Sequence, residues 1–340
     1  MKPAAGWLST AGYVTGWRLI RALPAPVAGR LFAAAADLAV RRDGRSVRQL
    51  RRNLQRVAGA AAGAAELDRL VRAGMRSYAR YWLETFRLPS MDVGQVLAAV
   101  RTDGAEHVDQ AMAAGRGAVF ALPHSGNWDI AGLWLVRRGY PFSTVAERLK
   151  PESLFDRFVA YRESLGMRVL PLTGGPQPPT TVLAERLRAG EAVCLVADRD
   201  LSRNGVDVEF FGERTRMPAG PALLAATTGA ALMPVHLYFD GDGWGQWIGP
   251  PIELGDGPLR DRVRRGTQAL ADAFEAGIAR YPQDWHMLQR LWLADFDQAG
   301  SGQDGSGQDG SGPAGSDRNG GESAGDESAG DEPAATVGRP

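Results

Sequence analysis

Between about residue 100 and residue 281, the sequence alternates short apolar runs with longer segments whose apolar residues recur at helical spacing. Strands that alternate with helices in this way form mainly parallel sheets covered by helices. We therefore predict an α/β fold in which a mainly parallel central sheet is flanked by helices. The predicted strands cover residues 117–122, 142–146, 168–172, 192–197, 206–211 and 231–239, and another begins near residue 247. The predicted helices cover residues 108–114, 129–138, 151–166, 180–189, 218–228 and 259–281.

The two ends of the chain differ from this central α/β domain, to which we assign residues 41–296. Residues 1–40 combine Trp, Leu and Val with basic residues, which predicts amphipathic helices that associate with a membrane surface. A helix packed on the domain would show the same pattern, and one helix can do both. Their longest uncharged run is too short and too polar for a helix that spans a bilayer, which needs about 20 apolar residues. Further helices are predicted over residues 27–90. Residues 297–340 contain almost no large apolar side chains, which predicts a disordered, acidic, Gly/Ser-rich tail.

The formal net charge of zero conceals an uneven distribution. Residues 1–100 contain Lys2 and fifteen arginines but six acidic residues, whereas residues 297–340 contain nine acidic residues and two arginines. A basic front end suits an anionic partner. No nucleic-acid-binding motif accompanies the arginines, so we expect an anionic membrane surface and no nucleic acid. The arginines between residues 41 and 56 are also consistent with an ordinary solvated helix face.

Several kinds of chemistry are disfavoured by the motifs that the sequence lacks. Cys194 is the only cysteine and lies in an apolar run, which indicates a buried structural thiol in a reducing compartment. There is no histidine or cysteine pair at metal-ligand spacing, so we expect no metal. Neither a phosphate-binding glycine loop nor a GxSxG elbow is present, which argues against a nucleotide-driven enzyme and against a serine hydrolase.

The strongest chemical signal is His124, which directly follows a predicted strand and precedes Asp129 by five residues. Ligands bind at the carboxyl ends of strands in open α/β sheets. Residues five apart in a regular helix point about 140° away from each other. We therefore expect an intervening turn to bring Asp129 to the imidazole, where it would orient a general base. The alternative is a structural histidine, with Asp129 in the first turn of the helix. Asn127 is a candidate N-cap, and free N–H groups beside it would favour an anion.

Charged residues follow two other predicted strands. Asp198, Arg199 and Asp200 come after residues 192–197, and Glu147 and Arg148 come after residues 142–146. Arg162 lies in the helix that follows. Arginine suits a phosphate or an oxyanion, although each of these residues alone is more often a surface ion-pair partner. The recurrence of charges at several strand ends therefore predicts one site at that edge of the sheet.

Together these blocks resemble the lysophospholipid-type acyltransferase superfamily with its H-x4-D motif, and more narrowly the branch of lipid A lauroyl acyltransferases and phosphatidylinositol mannoside acyltransferases. The likeness covers about residues 1–296, and its mannoside branch is the closer match. Four blocks occur in order: residues 124–129; residues 147–151 with Arg162; residues 198–220; and residues 281–292. The motif alone is a weak signal, whereas four blocks in order are a strong one.

The resemblance implies transfer of a fatty acyl group, such as palmitoyl, from acyl-CoA to a mannose hydroxyl of a phosphatidylinositol mannoside, at the cytoplasmic face of the membrane and without a cofactor. His124 would act as general base, oriented by Asp129 or Asp198, and the acceptor would attack the thioester directly. Glu147 and Arg162 would position the acceptor headgroup, and Arg148, Arg199 and Asp200 would also belong to the substrate site. The family carries Glu or Asp at the first acidic position of the third block. This chain has Asp198 there, which is the shorter of the two side chains.

Three other functions remain open from the sequence. Within the class, the acceptor would be another glycolipid or a lysolipid. Outside the class, an inactive lipid-binding protein would share the apolar pocket and the basic face. A nucleic-acid-binding protein would rest on the arginines alone. The intact pair of His124 and Asp129 favours the enzyme.

Overall fold

The computed structural model describes residues 19–147, 152–200 and 205–297. Three long helices lie in the N-terminal part of the described chain: α1 (Ala25–Arg42), α2 (Arg45–Ala58) and α3 (Ala64–Arg87). They pack around a small apolar core that includes Leu50, Leu54 and Val71. The predicted helices over residues 27–90 are therefore confirmed. Residues 1–18 of the predicted membrane segment and residues 298–340 of the predicted tail lie outside the described residues.

The central sheet has seven strands in the order β1-β9-β8-β2-β5-β3-β4. Every neighbouring pair is parallel except β8 with β9. The strands of the sheet are β1 (Val100–Asp103), β2 (Ala118–Leu122), β3 (Phe142–Ala146), β4 (Arg168–Pro171), β5 (Ala192–Val196), β8 (Ala231–Asp240) and β9 (Gly243–Ile248). The predicted mainly parallel α/β sheet is therefore confirmed. Strands β2 and β5 are direct neighbours, with Leu122 beside Val196 at their carboxyl ends.

Helices connect the strands and cover both faces of the sheet. They are α4 (Val93–Ala98), α5 (Ala105–Ala113), α6 (Trp128–Arg137), α7 (Glu152–Ser164), α8 (Pro179–Arg188), α9 (Gly220–Thr228), α10 (Leu259–Arg280) and the short α11 (Leu293–Asp297), with 3-10 turns at Leu88–Ser90 and Pro282–Asp284. One apolar core joins α8, α9 and α10 to the sheet, and a second joins α5 and α6 to the opposite face. In the described part of the chain, side chains on both faces of the central strands are therefore buried.

Three strands differ from the sequence prediction, each for a local reason. Strand β1 was not predicted, because the polar residues of Val100–Asp103 give an edge strand little apolar character. A separate hairpin pairs β6 (Val206–Phe210) with β7 (Glu213–Met217), and the charged β7 was also not predicted. Strand β9 begins four residues earlier than expected, because Gly243 and Gly245 obscure its pattern. Gly245 lies beneath the ring of Tyr238, where a Cβ atom would be 2.1 Å from the ring.

Candidate functional site

The carboxyl ends of β2 and β5 bring His124 and Asp198 together. Because these strands are parallel neighbours, the residues that follow them emerge at the same edge of the sheet. The Nδ1 atom of His124 lies 2.5 Å from Oδ1 of Asp198. The main-chain N–H of His124 donates to Oδ2 of the same carboxylate, at 3.0 Å. Asp198 is therefore the carboxylate that orients the imidazole.

The carboxylate of Asp198 is fully buried, whereas the His124 side chain remains 31% exposed. The indole Nε1–H of Trp285 supplies a third hydrogen bond to this carboxylate, at 2.9 Å from Oδ2. Burial raises the pKa of Asp198, but the charge of His124 and the hydrogen bonds from His124 and Trp285 outweigh it. The pKa of Asp198 consequently lies below its ordinary value, so the carboxylate is ionised when the imidazole takes up a proton.

The turn that carries His124 is held by the segment that follows α10. The carbonyl of His124 accepts the N–H of His286 at 2.7 Å, and the N–H of Gly126 donates to the carbonyl of Asp284 at 2.9 Å. Between them, Ser125 and Trp285 form an isolated β-bridge. These main-chain contacts act like one short strand pair, so they fix the position of the imidazole relative to the sheet.

Side chains anchor that segment to α3. The hydroxyl of Ser77 donates to Oδ1 of Asp284 at 2.8 Å and lies 2.9 Å from Nε2 of His286. Burial, together with the charge of the nearby His124, lowers the pKa of His286 to about 3. A neutral His286 ring can then donate its Nε2–H to Ser77. The three polar side chains therefore form a buried link between α3 and the segment that holds the turn of His124.

Asp129 does not orient His124, contrary to the expectation from the five-residue spacing. Its buried carboxylate binds Arg162 instead, with Nε of Arg162 2.7 Å from Oδ1. Burial disfavours the charge of Arg162, but the charge and hydrogen bond of Asp129, together with Tyr81 and Tyr161, outweigh it and raise the pKa of the guanidinium. The first turn of α6 directs this aspartate towards α7, so the H-x4-D spacing yields a buried ion pair behind the histidine.

Asn127 is an N-cap, as predicted, but the cap changes the role proposed for it. Its side-chain oxygen accepts the N–H groups of Asp129 and Ile130, at 3.1 Å and 3.2 Å. Its amide nitrogen donates to Oε2 of the buried Glu84 at 2.7 Å. Those two helix N–H groups are therefore already satisfied and are not open to an oxyanion. Asn127 itself is buried and holds the start of α6 against α3.

Of the remaining predicted site residues, Glu147, Arg199 and Asp200 follow β3 and β5 at the same edge. Arg199 follows Asp198, and its guanidinium lies 3.8 Å from the half-exposed carboxylate of Glu147. Asp200 accepts the main-chain N–H of Gly205 at 2.7 Å. Glu147 and Arg199 thus lie together beside His124's partner, whereas Arg148 lies outside the described residues.

A narrow apolar cavity lies between α6 and the sheet. It crosses five neighbouring strands, and its walls include Leu122 and Val196, which precede His124 and Asp198 by two residues each. Trp128, at the start of α6, lines the cavity and lies edge-on to the His124 ring with 6.0 Å between ring centroids. The ion pair of Asp129 with Arg162 also borders the cavity. The cavity therefore extends to Trp128, which is a direct neighbour of the imidazole.

Cys194 also lines the cavity, and burial raises the pKa of its thiol well above the ordinary value. It is therefore an uncharged wall residue, as the sequence indicated. Across the described ranges, no three His, Cys, Asp or Glu side chains converge as a metal site would require.

Two contributions to the site were missed at the level of sequence. Trp285 lies in residues 281–292, which resemble the family, but the sequence predicts no role for it. In the structure, its indole N–H donates to Asp198. Glu84 had no assigned role, and it accepts Asn127, Trp244 and Arg80 within one buried cluster. A glutamate within the aromatic stretch of α3 is the only local signal, because Asn127 and Trp244, which donate to it, and Asp198, which accepts from Trp285, lie far away in the chain.

Comparisons with known proteins find a family of bacterial acyltransferases. A family model described as bacterial lipid A biosynthesis acyltransferase matches residues 4–294. Phosphatidylinositol mannoside acyltransferase of Mycolicibacterium smegmatis is 57% identical over 86% of this chain and 94% of its own length. The protein of that name from Mycobacterium tuberculosis H37Rv is 52% identical over 86% of this chain and 90% of its own length. A lipid A biosynthesis acyltransferase of Haemophilus influenzae is 22% identical over 55% of this chain and 57% of its own length.

The turn after His124 gives a direct test of the site geometry. Gly126 has a φ angle of +54°, and an added Cβ atom would lie 2.8 Å from the main chain at Leu237 and Tyr238. We expect Gly126→Ala to displace this turn, to lower the free energy of unfolding by about 2 kcal/mol or more, and to reduce activity. Denaturant unfolding and an activity assay would measure both effects.

Gly139→Ala is the matched control, because Gly139 has a φ angle of +96° but open space around the added atom. It should lose only about 1 kcal/mol and keep its activity. Equal losses in the two variants would show that the close approach at Gly126 has no special importance.

Proposed function

The chain belongs to the bacterial lipid A biosynthesis acyltransferase family, and from this premise we propose that it transfers a long-chain fatty acyl group, such as palmitoyl, from acyl-CoA to a mannose hydroxyl of a phosphatidylinositol mannoside. That the chain is an acyltransferase follows from its family and its relatives. The mannoside acceptor is supported by the printed names of the relatives at 57% and 52% identity. The observation that carries the proposal is the imidazole of His124, which is held by Asp198 beside an apolar cavity.

The proposed chemistry is a direct transfer with His124 as general base. Because Asp198 faces Nδ1, the neutral ring carries its proton there and leaves Nε2 free to accept another. Nε2 takes the proton of the acceptor hydroxyl while that oxygen forms a bond to the thioester carbonyl carbon. The carbon–sulfur bond then breaks, and the departing thiolate takes the proton back from the imidazolium. No acyl-enzyme forms, and Asp198 stabilises the transient positive charge on the ring.

The cavity beneath α6 is the proposed site of the acyl chain. Its walls are mostly apolar side chains from α6 and five strands, and they include Trp128, which contacts the ring of the proposed base. Burial of a long hydrocarbon chain there would supply binding energy of about 0.8 kcal/mol for each CH₂ group. Arg162 and Asp129 would shape the edge of this cavity rather than contact the acceptor, since each neutralises the other.

Charged groups at the sheet edge would position the polar parts of the substrates. Arg199, beside Asp198, carries a guanidinium suited to a phosphate of acyl-CoA or of the acceptor. Glu147 would place this guanidinium and accept hydroxyl groups of the sugar, and Asp200 would hold the following loop. Arg148 completes the proposed set of charged substrate-binding residues.

A membrane surface is the proposed location of the enzyme, at the cytoplasmic face. Helix α1 exposes an apolar row, with Leu31 and Leu38 55% and 44% exposed, and Arg41 and Arg42 lie in its last turn. Apolar side chains beside arginines suit the interface of an anionic leaflet. Among the described helices, none has the length and apolarity needed to cross a bilayer.

The catalytic proposal predicts the loss of acyl transfer when His124 is removed. With acyl-CoA and a panel of glycolipid acceptors, we expect His124→Ala to lower kcat/KM by about 1,000-fold or more and Asp198→Asn by about 100-fold or more, because each removes the general base or its orientation. The mass of the product would identify the acceptor.

His107→Ala is the control, because His107 lies on α5 away from the sheet edge that carries His124. It should behave as the unaltered enzyme. Turnover by His124→Ala at the rate of this control would refute the mechanism. Transfer to lysophospholipid or lipid A precursors, with none to the mannoside, would refute the proposed acceptor. Lipid binding without turnover by the unaltered protein would favour an inactive binding protein.

The proposed acyl site predicts that a larger side chain at Cys194 changes the donor preference. Cys194→Phe would occupy part of the cavity, so kcat/KM for palmitoyl-CoA should fall at least about tenfold relative to that for butanoyl-CoA. Cys194→Ala, which leaves the cavity open, should preserve the ratio of the unaltered enzyme. A ratio unchanged by phenylalanine would place the acyl chain elsewhere.

The membrane proposal predicts weaker binding when the apolar row of α1 becomes acidic. Leu31→Asp combined with Leu38→Asp should reduce cosedimentation with phosphatidylglycerol-rich vesicles about tenfold or more. Leu259→Asp, at a residue as exposed as Leu38 but on α10, is the control and should bind as before. Equal binding by both variants would exclude α1 as the contact surface.

A further inference from the structure

The ion pair of His124 with Asp198 does not by itself determine which carboxylate oxygen faces the imidazole. Oδ1 receives Nδ1 of His124, whereas Oδ2 receives both the main-chain N–H of His124 and the indole N–H of Trp285. A carboxylate rotates about one bond, so two donors on the same oxygen fix the position of the other oxygen. We propose that Trp285 is a positioning residue of the acyltransferase, which orients the Asp198 carboxylate for His124 by donating to its second oxygen; this inference rests on the proposed function.

Ring packing and main-chain contacts hold Trp285 in place in addition to its hydrogen bond to Asp198. Its side chain is fully buried, and its ring packs edge-on against Phe210 and Trp292, with ring centroids 6.0 Å and 6.1 Å away. On one side its main chain bridges to Ser125, and on the other the Ser77 link anchors its neighbours Asp284 and His286 to α3. Both the ring and the backbone of Trp285 are thus fixed, so the indole is a rigid donor whose direction is set before substrate binds.

The same hydrogen bond affects the proton affinity of the pair. A donor to Oδ2 stabilises the carboxylate most when its charge is not offset by a protonated imidazole. Without this donor, the carboxylate attracts the imidazolium more strongly, and the pair holds its proton to higher pH. The other charged or titratable groups around the pair are His286, Arg199 with Glu147, and the Asp129–Arg162 ion pair. None of them binds Oδ2, so they do not replace the indole.

Trp285→Phe tests this role, because phenylalanine keeps an aromatic ring in the pocket and removes the N–H donor. We expect kcat with palmitoyl-CoA to fall about tenfold or more, with KM changed less than about twofold, since the substrates do not contact Trp285. The acid limb of the profile of kcat/KM against pH should move upwards by about half a pH unit.

Trp292→Phe is the matched control. Trp292 is equally buried and also donates its indole N–H, but to the carbonyl of Phe210 rather than to the active site. A purely structural role for Trp285 would lower the thermal stability of both variants and leave the pH profile of both unchanged. A normal acid limb and a normal kcat in Trp285→Phe, with His124→Ala inactive, would overturn the inference and leave the proposed function intact. Activity in His124→Ala would instead remove the proposed function.

A second measurement needs no folded Trp285 variant. In the wild-type protein labelled with ¹⁵N-tryptophan, one indole N–H resonance should move with pH at the midpoint of the acid limb, and this movement should be absent in Asp198→Asn. If no indole resonance follows that midpoint, Trp285 is not coupled to the pair and the inference is wrong.

Discussion

The site depends on one buried carboxylate. Asp198 is removed from water, and three donors from His124 and Trp285 replace its hydration. A buried charge without such partners would cost several kcal/mol, so the fold must deliver all three donors to the same place. The parallel pairing of β2 with β5 delivers two of them, and the chain after α10 delivers the third.

The proposed function depends on the nitrogen of His124 that this arrangement leaves unbound. One side of the imidazole is bound to the carboxylate, and the side chain is still partly exposed, so its other nitrogen can meet a hydroxyl group. The apolar cavity and the imidazole share Trp128, because this side chain lines the cavity and lies edge-on to the ring. A proton acceptor near an apolar cavity suits acyl transfer in this family, and the ion pair of Asp129 with Arg162 joins α6 to α7 at the border of that cavity.

The sequence predicts the sheet and its reactive edge because both depend on local patterns. Apolar runs predict the central strands, and charged residues after them predict where His124 and Asp198 emerge. It does not predict which aspartate meets the imidazole, because the direction of Asp129 is set by Arg162, which is 33 residues away. The donor to Asp198 is 87 residues away, and no local pattern indicates it. Strands rich in charge or glycine carry little apolar signal, so the edge strand β1 and the first residues of β9 are missed.

The most direct test of the account is the position of the imidazole proton in His124, measured by ¹H–¹⁵N correlation spectra of histidine-labelled protein. With four histidines in the chain, the His124 signals can be assigned from the His124→Ala variant. At a pH where the ring is neutral, orientation of His124 by Asp198 predicts a proton on Nδ1 that persists in Asp129→Asn and is lost in Asp198→Asn. A proton on Nε2, or a spectrum that changes with Asp129 and not with Asp198, would contradict the account.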